Sequence, residues 1–453
     1  MFDLVIRNGT VVTASGSFSA DVGIAGERVA AVGERLGGTE MLDATGCYVL
    51  PGGIDPHVHL QMPLGDTISA DDFATGTVAA AMGGTTTVID FVEPAPEEPM
   101  MVALAKRQAE ADGRVAIDYG LHMTISTWHA AHPKSLAELA DVVAAGVPTF
   151  KLYLAYAGLH LDDVQLYHAM SALAAVEGLS IIHCENGPIC EAMRAEALAA
   201  GYIAPPYHAL TRPPRQEAEA VGRVIDIAAL TGSRLYVVHV SCAESLQRIV
   251  DARDRGEMVY GETCPHYLLL DRGALEGAGG ERLICAPPLR EPEDNDALWA
   301  ALIAGDLDVL ATDHCPFTAA EKAGHANFTT IPGGLPSIEG RVGLAHHFGN
   351  SRGLTLERWV AVCSTMPARI FGLARKGRVA PGFDADLVIF DPERWVTLQA
   401  GETLHENVSW SPYDGLRVKG WPRDVLSRGR LIVQQGEFVG QSGWGRFVER
   451  VRG

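Results

Sequence analysis

Between residues 48 and 312 the chain repeats one motif eight times: a short run rich in Val, Ile, Leu and Ala, followed by a more polar or Ala-rich stretch. The apolar runs fall at 48–55, 85–91, 117–124, 149–154, 180–184, 235–240, 259–263 and 307–312, with helical segments such as 101–112, 136–145 and 216–231 between them. Near-continuous apolar strands are covered on both faces, and strands alternating with helices pair in parallel. Eight such units predict a (β/α)8 barrel.

The ends of the chain read differently. Residues 1–50 and 373–440 carry short alternating runs punctuated by turn residues (LVIRNGTVV, DADLVIFD, RGRLIVQQGEF), the texture of strands and hairpins. Both termini are therefore expected to build one small β-sandwich domain around a barrel at 51–372, leaving 441–453 as a tail. A length of 453 residues suits a barrel of about 250 residues with elaborations, and 47% hydrophobic residues supply a large core.

The formal net charge of −20 argues against nucleic acid or an anionic membrane as the main partner. The uncharged run near residue 80 is rich in Gly and Thr and does not read as a membrane span. No secretory or transit signal is evident at the N-terminus. Eight cysteines without a C-x-x-C pair, mostly inside apolar runs, read as free buried thiols in a reducing cytosol.

Five of the predicted strands end in side chains able to bind metal: Asp55-Pro56-His57-Val58-His59, Thr149-Phe150-Lys151, Ile181-Ile182-His183, Val237-Val238-His239 and Thr312-Asp313-His314. Barrel active sites lie at that end of the strands. Residues two apart in a strand face the same way, so His57 and His59 are expected to present both rings to one point. Four imidazoles and a carboxylate suit zinc or a similar borderline metal. Each residue alone has a plainer reading. A single histidine can be a satisfied polar group, Asp313 a helix cap and Lys151 an ion-pair partner. Their coincidence at successive strand ends is what points to a metal centre.

The segments PGGIDPHVHLQMP, TFKLYLAYAG, HCENG, YVVHVS, GETCPHYLLLD, APPLR, ATDHCPF, IPGGLPSIEGR and SPYDGLRVKGWP give the chain an end-to-end resemblance to the dihydropyrimidinase and hydantoinase branch of the amidohydrolase superfamily. The resemblance implies hydrolysis of a cyclic amide, a hydantoin or dihydropyrimidine, to an N-carbamoyl amino acid. It implies two divalent metals per chain, zinc being favoured, bridged by Lys151 carboxylated on its amine. His57, His59, Lys151 and Asp313 would hold the inner metal, and Lys151, His183 and His239 the outer. A hydroxide shared by the metals would be the nucleophile, Asp313 the general base and acid, and Tyr156 the oxyanion donor. Without the resemblance, Tyr156 would read as a loop aromatic packed on the rim.

Main-chain groups of the 286–290 and 331–336 loops would hold the ring. Ala286 and Gly333 stand where relatives usually carry Ser and Asn, and Leu64 where they often carry a bulky Phe. Segments 62–68 and 157–162 are expected to meet the ring substituent. The resemblance further implies a cytoplasmic homotetramer, or at least a homodimer, with oligomer contacts from the family-like tail at 411–450. The segment after His59, Leu60-Gln61-Met62-Pro63, differs from dihydroorotase and allantoinase patterns. An allantoin-like or succinimide-like substrate, or a non-catalytic scaffold of this family, are the competing readings.

Overall fold

The computed structural model describes residues 1–452. Its centre is an eight-stranded parallel sheet: Gly53–Asp55, Thr85–Val92, Asp118–Thr124, Thr149–Tyr153, Leu179–His183, Arg234–Val237, Val259–Thr263 and Val309–Leu310, each hydrogen-bonded to the next in chain order. The first and last strands meet through a parallel bridge between Val58 and His314, with the His59 amide donating to the His314 carbonyl at 2.8 Å. Asp55, fully buried, seals this seam. Its carboxylate accepts from the Thr312 backbone N–H at 3.2 Å and from the Thr312 hydroxyl at 2.6 Å. The predicted barrel is therefore present.

Both termini build the second β layer pair. One sheet runs Arg28–Gly33, Asp21–Ala25, Phe2–Arg7, Gly38–Asp43. The other runs Glu437–Phe438, Arg430–Gln434, Arg417–Ser427, Leu387–Thr397, Tyr48–Pro51, Thr10–Thr13, Gly16–Ser19. Ile6, Val22, Ile24, Val49, Leu387 and Ile389 bury their side chains in its core.

The run 48–55 is not one barrel strand, as expected from its apolar continuity. Tyr48–Pro51 pairs antiparallel with Leu387–Phe390 in the terminal sheet, and Gly53–Asp55 pairs in parallel with Thr85–Val88 in the barrel. The chain changes sheets at Gly52, where any Cβ would run into the Thr86 side chain. The last strand is also shorter than 307–312, and the sixth shorter than 235–240. In both, the ladder stops before a residue that adopts a left-handed backbone: His239 (φ 38°) and Asp313 (φ 50°). Helix 136–145 is broken into Pro133–Ala137 and Leu139–Ala144.

The tail lies against its own barrel. Phe447 bridges to Tyr119, the Val448 amide donates to the Tyr119 carbonyl at 2.8 Å, and the buried Arg450 guanidinium reaches Thr149 Oγ1 at 2.8 Å. All eight cysteines are free and buried. Among the described residues no helix is long and apolar enough to cross a membrane.

Candidate metal centre

The C-terminal ends of the barrel strands open into a cavity of about 760 Å3. All ten residues singled out from the sequence line it: His57, His59, Leu64, Lys151, Tyr156, His183, His239, Ala286, Asp313 and Gly333.

On one side, His57 and His59 follow the first strand in an extended segment, their rings 5.2 Å apart. Val58 between them points into the core, so the alternation expected from strand geometry persists beyond the strand. The segment is fastened by Asp90, which accepts from the Leu60 amide at 2.7 Å and from Arg107 at 2.6 Å. Asp313 Oδ1 lies 3.1 Å from Nε2 of both His57 and His59, a grouping compact enough for one cation. Burial pushes the Asp313 carboxyl up, but His57, His59 and His239 outweigh it and hold it well below the usual carboxylate range. It is an anion at neutral pH.

On the other side, His183 Nδ1 and His239 Nε2 face each other at 2.9 Å. Burial lowers both rings' pKa, further for His239 through its neighbours His183 and Lys151. Both are therefore neutral imidazoles, the form that offers a lone pair to a metal. Lys151 lines the same cavity, 1% exposed, with Nζ 5.1 Å from the ring centres of Phe91 and Tyr153. Among the described residues no carboxylate comes within ion-pair distance of it. Burial draws its pKa down to about 8 against the pull of Asp313 and Glu262.

The seventh strand ends in no metal-binding group that the sequence singled out, yet it supplies Glu262. This carboxylate, fully buried, accepts from His57 Nδ1 at 2.7 Å, from the Tyr236 hydroxyl at 2.7 Å and from the His239 amide at 3.1 Å. A carboxylate can only accept, so His57 carries its proton on Nδ1 and turns the Nε2 lone pair to the centre. That Nε2 is buried and has no hydrogen-bond partner. Glu185 does the same for His183, meeting Nε2 at 3.0 Å, and is itself held by Arg212 at 2.6 Å. An oriented, partnerless His57 Nε2 beside the anionic Asp313 fits a divalent metal. The sequence signal that could have found these acids is their company: Glu262 is the only charge in the strand Val259–Thr263, and Glu185 follows His183 by two residues.

Tyr156 stands on the rim, 37% exposed, its ring 5.0 Å from that of His183. Its backbone is left-handed (φ 73°), as are those of His239 and Asp313. Such conformations are uncommon outside glycine and gather at functional sites. Burial of the phenol and the nearby Glu185 raise its pKa, so it keeps its proton at neutral pH.

Segment 62–68 folds as a small hairpin, Pro63–Leu64 against Thr67–Ile68, and the Thr67 hydroxyl bonds to Glu321. Leu64 at its tip is 38% exposed to the cavity mouth. A Cβ at Gly333 would meet only the Cys285 Cα, at an ordinary contact distance of 3.9 Å, whereas a Cβ on Gly334 would strike the Cys315 carbonyl. The turn is fixed by Gly334, while position 333 has room for a side chain.

The amidohydrolase family profile matches residues 48–432. The chain is 44% identical over 458 residues to the D-hydantoinase of Geobacillus stearothermophilus, covering 99% of this chain and 96% of that protein. The chain belongs to the amidohydrolase family, in its hydantoinase and dihydropyrimidinase branch. Among solved structures it superposes on the dihydropyrimidinase of Brevibacillus agri with a TM-score of 0.96 at 45% identity, covering 99% of this chain and 98% of the other. A Bacillus D-hydantoinase gives the same TM-score and identity over 99% of both chains.

Proposed function

We propose that this chain opens the ring amide of hydantoins or dihydropyrimidines to give N-carbamoyl amino acids. As a member of its branch it is a hydrolase of cyclic amides. The observation that carries the finer reading is that two groups, His57–His59–Asp313 and His183–His239, line one cavity together with the buried Lys151.

Lys151 is the residue best placed to join the two groups. With a pKa near 8, a usable fraction of its amine is neutral at pH 7 to 8. The neutral nitrogen adds CO2 and releases a proton, turning a +1 group into a −1 group with two oxygens. Carboxylation thus removes the cost of burying an ammonium beside cations. In this reading His57, His59, Asp313 and Lys151 hold one divalent ion, and Lys151, His183 and His239 a second, both zinc. When bound, the ions polarise the ring carbonyl and make water nucleophilic at neutral pH.

The chain's own residues do the rest. Asp313, ionised and facing the centre, accepts the proton of the attacking water and returns it to the leaving ring nitrogen. The protonated Tyr156 phenol donates to the developing oxyanion. The backbone around Ala286 and Gly333 borders the ring edge, and Leu64 with the hairpin borders the substituent. The free thiols support a reducing cytosol as the working compartment. Assembly is proposed as a homotetramer, or at least a homodimer; sedimentation showing only monomer rejects it.

The test is a panel of hydantoin, both hands of 5-substituted hydantoins, dihydrouracil, dihydrothymine and succinimide, assayed after reconstitution with zinc and bicarbonate. Zinc-dependent release of N-carbamoyl amino acids is expected. No turnover of any hydantoin or dihydropyrimidine contradicts the proposal.

A further inference from the structure

The histidines of the second ligand group are not held by their strands alone. His183 is followed two residues later by Glu185, and His239 two residues later by Ser241. Both followers are buried and turn to one place, the first turn of helix Pro214–Thr231. Gln216 and Glu217 occupy that turn, 4% and 2% exposed. Gln216 donates from Nε2 to Glu185 Oε1 at 3.2 Å, and its Oε1 accepts from the Asn186 amide at 2.6 Å. Glu217 Oε1 accepts from the Ser241 amide at 3.1 Å. Its other oxygen accepts from the Ser241 hydroxyl and from Arg290 at 2.6 Å. Arg290, 5% exposed, donates again to Ser241 Oγ at 2.9 Å and to the Arg212 carbonyl. It also ends the 286–290 loop, whose Ala286 lines the cavity.

One turn of one helix thus grips three loops of the site. The helix itself does not need this network, since neither residue caps its own N-terminus. A buried ion pair also contributes little net stability compared with an apolar pair. What the network does fix is direction: the loops carrying His183 and His239 cannot turn without breaking bonds to adjacent side chains. The first ligand group draws its support elsewhere, from Asp90 and Asp55, with Glu262 as a link between the two groups.

We propose that Gln216 and Glu217 are positioning residues that set His183 and His239 as ligands of the outer cation and, through Arg290, couple that cation position to the 286–290 loop. The inference rests on the two-cation reading given above. It predicts that damage here weakens one cation of the two and substrate binding together, leaving the other cation in place.

Full-length wild type, Glu217→Gln and Ser241→Ala are loaded with zinc and titrated with a chelator, zinc per chain is counted, and KM and kcat for hydantoin are measured. Wild type should hold two zinc ions. Glu217→Gln should keep one ion at wild-type affinity, lose affinity for the other by about 10- to 100-fold, and raise KM. Ser241→Ala, which keeps the Glu217–Arg290 pair, should shift the same quantities less, and it carries the test alone if Glu217→Gln does not fold. Folded variants with both affinities and KM unchanged overturn the inference, as does equal weakening of both ions. A wild type that never takes a second zinc overturns the two-cation reading, and this inference with it.

Discussion

Two buried lysines in this barrel show how the same group becomes structural in one place and chemical in another. Lys376 is 4% exposed beneath the barrel, near the start of the third strand. Its ammonium lies 2.8 Å from Asp118, 2.5 Å from Asp386 and 3.5 Å from Asp384. Arg428 reaches Asp118 at 3.1 Å, and Arg375 reaches Asp384 at 3.3 Å. Burial would lower its pKa, but Asp386 and Asp118 outweigh it and raise it. Three carboxylates and three cations are there, each partnered. Lys151, equally buried, sits among aromatic faces and imidazoles with its pKa drawn down to about 8.

Both places gather three metal-binding side chains: His57, His59 and Asp313 above, Asp118, Asp384 and Asp386 below. The number of ligand-capable groups does not separate them. Satisfaction does: the lower cluster has filled its valences from the protein, while the upper one keeps His57 Nε2 oriented by Glu262 and unpartnered. A saturated cluster ties elements together, and an unsaturated one waits for a ligand.

The largest effect expected is from Lys151→Ala, which should abolish zinc binding beyond traces and hydrolysis together, while the fold persists; an intact two-zinc content in that variant breaks the contrast. Lys376→Met should do the reverse. It leaves the buried Asp386 without a side-chain cation, takes one partner from Asp118 and Asp384, and should cost about 3–5 kcal/mol in chemical denaturation, with zinc content and kcat per folded chain unchanged. The pH dependence has a definite sign. A raised lysine pKa gives stabilisation that is complete below the ordinary value of about 10.4 and is lost as pH rises above it. Wild type should therefore lose stability above about pH 10 more steeply than Lys376→Met.

Tyr156→Phe should lower kcat about 10²- to 10³-fold with zinc content unaltered, and near-normal turnover would remove its assigned role. The smallest effect belongs to Leu64→Ala. It should change the ratio of kcat/KM between bulky and small 5-substituted hydantoins by about 1–3 kcal/mol, without altering turnover of hydantoin itself.

Much of this could be read from sequence because barrel geometry is repetitive. An apolar strand running into His or Asp already says where that side chain points, and His57, His59, His183, His239 and Asp313 announced themselves this way, while Lys151 stood out as the lone charge inside the strand Thr149–Tyr153. The split of 48–55 between two sheets did not, since Val49 and Ile54 are equally apolar and only the crowding at Gly52 divides them. Glu262 was missed because an acid gains meaning only from its partner, and His57 is 205 residues away. Gln216 and Glu217 were hidden for the same reason: on a helix they read as solvated surface until the loops they grip are known. The left-handed backbones of Tyr156, His239 and Asp313 carry no glycine to betray them. Residues 441–452 pack on their own barrel through Phe447 and Arg450, pairings that span more than 300 residues of sequence and leave no local signal.

The most direct measurement is anomalous scattering at the zinc edge from crystals grown with zinc and bicarbonate. Two peaks per chain are expected, one beside His57, His59 and Asp313 and one beside His183 and His239, with density for a carboxyl group on Lys151 between them. An unmodified Lys151 with no peak at either ligand group would contradict the account.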